Sequence, residues 1–179
     1  MTLKKPLCTP EEMKRAIDRM ASAIQAEFPD GDVALVGLYM QGVPLSERLA
    51  EALEKRTGRK PLLARLDISL YRDDFGKRSA LPLIRETVIP FDISDANIIL
   101  VDDVLSTGRT IRAALDALTD YGRPRWIRLA VLADRGRPEY PIRADYVGFA
   151  VTVPESHKVV VRFGAVPEES GVFEMEWNR

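Results

Sequence analysis

The chain has 179 residues, 46% of them hydrophobic and 30% charged, with a formal net charge of -1. That balance fits one globular domain (residues 1–179) with its own core, and argues against a strongly basic nucleic-acid binder or an acidic tail. The one cysteine, Cys8, excludes an internal disulfide and any multi-cysteine metal site.

The start, "MTLKKPLCTPEEMK", has no apolar core and does not read as a secretory leader. No run approaches the roughly 18 apolar residues of a membrane span, so the expected place is the cytoplasm. Thr9-Pro10-Glu11-Glu12 opens a helix: Thr9 caps it, Pro10 suits its first position, and Glu12 closes a capping box. Met13, Ile17, Met20 and Ile24 continue it at helical spacing, and Phe28-Pro29-Asp30-Gly31 ends it. "VALVGL" from Val33 reads as a buried strand, and Tyr39-Met40-Gln41-Gly42 as a turn. "VPLSERLAEALEKRTG" reads as an amphipathic helix closed by Gly58.

"PLLARLDISL" predicts a strand, "YRDDFGKRSA" a polar loop, and "LPLIRETVIP" a short extended ribbon. A strand from Ile98 to Val104, a loop to Gly108 and a helix from Arg109 to about Tyr121 follow. "WIRLAVLA", "ADYVGFAV", "KVVVRFGA" and "GVFEMEW" read as the remaining strands. Alternation of this kind predicts an α/β fold, a mostly parallel sheet covered by helices. Ligands of such sheets bind beyond the carboxyl ends of the strands. The single histidine, His157, has no partnering motif near it and reads as an ordinary surface or loop residue.

The segment "IILVDDVLSTGRT" lies at such a strand end. Asp102 and Asp103 are expected to be exposed there, as paired acceptors for adjacent donors such as a ribose diol. Ser106-Thr107-Gly108-Arg109-Thr110 then runs into a helix start, where free amides and the helix dipole favour an anion. A carboxylate pair followed by an anion cradle reads as a ribose phosphate holder, whereas a lone Asp-Asp after a strand would be a solvated turn. The chain has neither a Walker loop nor a Gly-x-Gly-x-x-Gly after a strand.

"VDDVLSTGRT" resembles the phosphoribosyl pyrophosphate (PRPP) signature of type I phosphoribosyltransferases. "GVPLSERLAEALE", "LDISLYRDD", "TIRAALDAL" and "ADRGRPEYPIRADYVG" extend the resemblance over nearly the whole chain. They point to one subfamily, the bifunctional pyrimidine operon attenuation regulators and uracil phosphoribosyltransferases. The resemblance implies a type I phosphoribosyltransferase fold with a small hood, use of Mg2+ with PRPP, and a homo-oligomer, dimer or higher. It also implies that Asp102 and Asp103 hold the ribose hydroxyls and meet the metal indirectly, through PRPP. Val104 and Leu105 lead into the 5-phosphate loop, Ser106 through Thr110. Met40, Gln41 and Gly42 form the pyrophosphate loop. Tyr71, Arg72, Asp73 and Asp74 belong to a flap, "LYRDDFGKR", with Arg72 as a catalytic residue beside the two aspartates. Asp134 and Arg135 meet the base and the hood; taken as bare residues they read as a salt bridge.

Two departures from the family pattern stand out. The pyrophosphate turn usually carries Thr-Arg-Gly, and here Gln41 replaces the cation; Arg72, Lys77 and Arg135 are the candidates to compensate. Positions that are basic in the family's RNA-binding regulators are Asp18, Ser22, Pro138 and Phe149 here, while Arg137 and Arg143 remain. Arg123, Arg125 and Arg128 form a further local basic stretch, read as a solvated face. The leading expectation is transfer of ribose 5-phosphate from PRPP to uracil, giving UMP and pyrophosphate. Pyrimidine leader RNA is the expected macromolecular partner. The alternatives are a catalytically weak nucleotide-binding regulator and a purine phosphoribosyltransferase. Ser106 disfavours the purine enzyme, because those enzymes usually place an acid before the Thr-Gly.

Overall fold

A computed structural model of the chain describes residues 3–73, 84–164 and 169–176. Eleven elements follow in order: β1 (Leu3–Cys8), α1 (Pro10–Glu27), β2 (Ala34–Leu38), α2 (Gly42–Thr57), β3 (Leu62–Leu66), β4 (Asn97–Leu105), α3 (Arg109–Thr119), β5 (Trp126–Asp134), β6 (Tyr146–Ala150), β7 (His157–Arg162) and β8 (Gly171–Glu176). Five strands form a parallel sheet in the order β3-β2-β4-β5-β6, and three form an antiparallel sheet in the order β1-β8-β7. The small sheet corresponds to the expected hood.

The central strands are apolar along their middles because both faces are covered there. Leu35, Ile99, Val101, Ala130 and Leu132 face one side, against Met13, Ile17, Met20 and Ile24 of α1 and Leu45, Leu49 and Leu53 of α2. Val36, Leu38, Ile98, Leu100, Leu129 and Val131 face the other, against Ile111, Ala114, Ala117 and Leu118 of α3. The strand period of two thus divides the core into two layers. Cys8, Val159, Val161 and Val172 of the small sheet belong to the α1–α2 layer, so the hood shares its core with the first two helices.

Helix boundaries follow from local chemistry. The Thr9 side chain accepts from the Glu12 amide at 3.2 Å, and the Glu12 carboxylate accepts from the Thr9 amide at 2.8 Å, completing the capping box. Gly58 ends α2 at φ 70°, a left-handed conformation that glycine takes without a Cβ clash.

Several elements differ from expectation. β1 was not legible: "LKKPLC" has two lysines and a proline and no alternation. A proline is tolerated at the edge of a sheet, where β1 lies beside β8 with irregular register around Pro6. β3 stops at Leu66, because the Asp67 carboxylate turns the chain by accepting the Ser69 amide at 2.7 Å. The ribbon expected over 81–90 reduces, within the described residues, to one antiparallel bridge between Arg65 and Val88. Among the described residues no helix is long and apolar enough to cross a membrane.

Candidate active site

The carboxyl ends of β2, β4 and β5 meet three turns that carry most of the expected site residues. At the end of β4, Asp102 is only 5% exposed, which corrects the expectation that both carboxylates are open to solvent. The reason is the approach of α2. A Cβ on Gly42 would lie 2.4 Å from the Val101 carbonyl oxygen, so only glycine lets the helix start press on the strand there. Asp103 is half-buried, and its amide donates to Asp102 Oδ1 at 2.9 Å. Burial, followed by the neighbouring Asp103 charge, holds the Asp102 carboxyl well above the usual carboxylate range. Burial raises Asp103 as well. Two adjacent acids, one buried and one half-buried, favour a cationic or donor-rich ligand.

The loop after β4 presents backbone rather than side-chain charge. Gly108 caps α3 at φ 86°, and the Thr107 hydroxyl accepts weakly from the Arg109 amide at 3.4 Å. Among the described residues the amides of Ser106, Thr107 and Gly108 donate to no protein backbone acceptor. The first turn of α3 carries no acid. Free amides at a helix start with no competing carboxylate make an anion cradle.

The expected Arg109 contribution is different in kind. Its guanidinium is committed to Glu139, at 2.9 Å from Nε and 2.6 Å from Nη2, and to Asp73 at 2.5 Å from Nη1. The backbone therefore serves the loop, while the side chain ties Asp73 to the segment after β5. Glu139 also donates its amide to the Thr107 carbonyl at 2.8 Å. Its role was not read from the sequence, although it lies inside the quoted "ADRGRPEYPIRADYVG".

Arg72 donates to the Thr110 hydroxyl at 3.3 Å, and its charge lowers the Asp102 carboxyl against the stronger effect of burial. Tyr71 is pinned beside it: its carbonyl accepts from Arg112 at 3.3 Å and its hydroxyl donates to Asp120. Asp74 and Lys77 lie outside the described residues.

Asp134 and Arg135 do not pair with each other, as the bare-residue reading had it. Asp134 accepts the Gly136 amide at 2.8 Å. Arg135 donates to the Ser106 hydroxyl at 3.2 Å and to the His157 carbonyl at 3.0 Å, linking the loop to β7 of the hood. His157 is not a surface residue. Its ring Nδ1 lies 2.5 Å from the Glu174 carboxylate, and both side chains are mostly covered. The sequence carried no sign of this, because β7 and β8 pair across 17 positions.

At the end of β2, the Tyr39–Met40 peptide is cis and Met40 is 61% exposed. Gln41 precedes α2 without capping it, and its Oε1 is buried with no partner.

The phosphoribosyl transferase domain family matches residues 9–167. The bifunctional protein PyrR of Roseiflexus sp. (strain RS-1) is 51% identical over 165 residues, 91% of this chain and 90% of that protein. The chain belongs to the phosphoribosyl transferase domain family, among the bifunctional PyrR proteins. A PyrR of Thermus thermophilus is 48% identical over 173 residues, covering 96% of each chain. The phosphoribosyltransferase fold recurs in the hypoxanthine phosphoribosyltransferase of Trypanosoma cruzi (TM-score 0.73, 16% identity, 98% of each chain). It recurs also in a hypoxanthine-guanine phosphoribosyltransferase of Bacillus anthracis (TM-score 0.72, 16% identity, 99% of this chain and 100% of that one). The type I phosphoribosyltransferase fold expected from the sequence is therefore the fold of this chain.

Proposed function

We propose that the chain is a phosphoribosyltransferase that joins uracil to the ribose 5-phosphate of PRPP, releasing pyrophosphate and forming UMP. The observation that supports it best is the pair of a buried Asp102 and a half-buried Asp103 beside a loop of undonated amides at the start of α3. In this reading the amides of Ser106 to Thr110 hold the 5-phosphate, and the two carboxylates take the ribose hydroxyls. The C1–oxygen bond to pyrophosphate breaks as the bond from uracil N1 forms, and the N1 proton is released. Positive charge develops on the ribose, and carboxylates in a water-poor site stabilise it strongly. Arg72 and the 71–73 segment cover the pocket, and Arg135 orders the loop against the hood on the base side.

The donor set suits a metal brought by the ligand. Among the described residues no three acidic, histidine or cysteine side chains cluster. Mg2+ ordinarily takes one or two carboxylates together with substrate phosphates, and Asp102 and Asp103 would meet it that way through PRPP. The chemistry such a bound Mg2+ would supply is neutralisation of the charge on pyrophosphate.

The PyrR relatives support a second activity in the same 1–179 domain: a UMP-responsive regulator, cytoplasmic and homo-oligomeric, that binds pyrimidine leader RNA. A catalytically weak regulator is the alternative, and Gln41 is the residue that favours it. Incubation with labelled uracil, PRPP and Mg2+ tests the proposal. Labelled UMP is the expected product; its absence while UMP still binds would leave the regulator alone. Turnover of hypoxanthine or guanine in place of uracil would overturn the choice of base.

A further inference from the structure

We propose that Arg85 supplies the cation at the pyrophosphate end of the site, the charge that position 41 lacks. The inference rests on the phosphoribosyl-transfer reading above and names a residue that reading does not use.

The turn after β2 is built for an anion but is short of charge. It delivers the start of α2, a helix of 16 residues whose first turn has no acid and no side-chain cap. Its leading amides and dipole therefore favour an anion. Gln41 offers a neutral amide there, with Oε1 buried and unpartnered.

Arg85 reaches this turn from a different part of the chain. Its Nη1 lies 2.8 Å from Met40 Sδ, and its guanidinium lies 5.3 Å from the centre of the Tyr39 ring. The backbone fixes its approach. The Arg85 amide donates to the Asp67 carboxylate, and three residues later Val88 exchanges backbone hydrogen bonds with Arg65 of β3, at 2.8 and 2.9 Å. The side chain is thus brought to the turn by its own strand-like segment.

Its charge acts on the Asp67 carboxylate at longer range, but no ion pair among the described residues ties it up. Among the described residues Arg65, Arg109, Arg112, Arg128 and Arg137 each pair with a carboxylate, and Arg85 forms no ion pair. A thioether and a ring face neutralise nothing, so the guanidinium keeps its donors for an anion. A planar guanidinium suits phosphate oxygens better than an ammonium does. The other cations of the site serve its opposite end: Arg72 meets Thr110, and Arg135 meets Ser106.

Calorimetric titration of the whole chain with magnesium pyrophosphate, and separately with UMP, separates the roles. UMP has no pyrophosphate and serves as the control for folding and for the rest of the site. Loss of one charge-assisted contact in Arg85→Gln should weaken pyrophosphate about tenfold. UMP affinity should stay within about twofold, as expected for a remote and independent contact. Arg85→Lys should retain part of the pyrophosphate affinity. Gln41→Arg added to Arg85→Gln should restore it, by returning the cation to the turn itself. Unchanged pyrophosphate binding in Arg85→Gln overturns the proposal, and so does an equal loss of both ligands. Wild-type protein that binds UMP but not pyrophosphate also overturns it, while leaving the nucleotide site intact. Wild-type protein that binds neither overturns the transferase reading itself.

Discussion

Gly42, the first residue of α2, rests directly on Asp102: a methyl group at Gly42 would come within 3.2 Å of the Asp102 Cα and 2.4 Å of the preceding carbonyl oxygen. The turn proposed for pyrophosphate and the carboxylate pair are therefore packed backbone against backbone. Both obstructing atoms are backbone, so neither can rotate away. Gly42→Ala should lower unfolding free energy by about 1–3 kcal/mol through overpacking. Denaturant titration measures that, and UMP and pyrophosphate titrations should both weaken. An alanine variant with wild-type stability would mean that α2 can slide on β4 without penalty.

Asp102→Asn should abolish UMP binding and yet stabilise the fold at neutral pH. Burial and the Asp103 charge raise the Asp102 pKa in the folded chain. In the unfolded chain an aspartate titrates near 3.9, about the model-peptide value. The folded chain thus holds its proton to higher pH than the unfolded chain does. Stability is fully present below the unfolded value and declines as pH rises toward the folded one. Asparagine cannot ionise and keeps an Oδ1 to accept the Asp103 amide. The melting temperature of the variant should exceed that of the wild type at pH 7, and the gap should close toward pH 4. A lower melting temperature at pH 7 would show that the Asp102 charge is satisfied inside the fold.

Arg109→Gln should separate anchoring of the 71–73 segment from phosphate binding. The side chain is shared between Asp73 and Glu139, while the loop offers its own amides to an anion. Hydrogen exchange at Tyr71 to Asp73 should therefore quicken while UMP affinity changes little. These ion pairs are exposed, so global stability should shift by no more than about 1 kcal/mol. Loss of UMP binding with unchanged exchange would make Arg109 a phosphate ligand instead.

The parts of the fold legible in the sequence were those set by local rules. The capping box at Thr9 and Glu12, the Gly58 stop and the apolar run into Asp102 each follow from residues within a few positions of one another. The contacts that were missed join distant segments. β1 is a strand because β8 lies beside it, and His157 is covered because Glu174 reaches it from the next strand. Asp102 read as exposed because strand ends usually are; its burial follows from the close approach of Gly42, 60 positions earlier and just past the end of the neighbouring strand β2. Gln41 reads as a missing cation, but Arg85 was not among the candidates to replace it, since the Arg65–Val88 bridge and the hydrogen bonds of Asp67 with Arg85 and Thr87, each spanning about 20 positions, bring that segment to the turn.

The RNA-binding activity proposed from the PyrR relatives should be weak, and its weakness should have identifiable sources. Of the two arginines that remain at the family's basic positions, Arg137 is paired with Glu155 at 3.1 Å, and Glu155 is 90% exposed. Arg143 is exposed and has no ion pair among the described residues. Asp18 adds a negative charge on α1, and Phe149 turns toward the core layer of α1 and α2 rather than offering a cation. The exposed Arg137–Glu155 pair adds little stability, so breaking it is cheap, but it competes with a phosphate for the same guanidinium. Glu155→Gln should therefore tighten binding to a pyrimidine leader RNA, by about two- to fivefold at low salt for one released phosphate contact. Arg143→Ala should weaken binding and reduce the log–log salt slope by about one unit. Filter binding with and without UMP, at two salt concentrations, measures all three proteins. A wild-type complex of nanomolar affinity that depends on UMP and persists at physiological salt would show that the neutral and acidic positions do not weaken this surface.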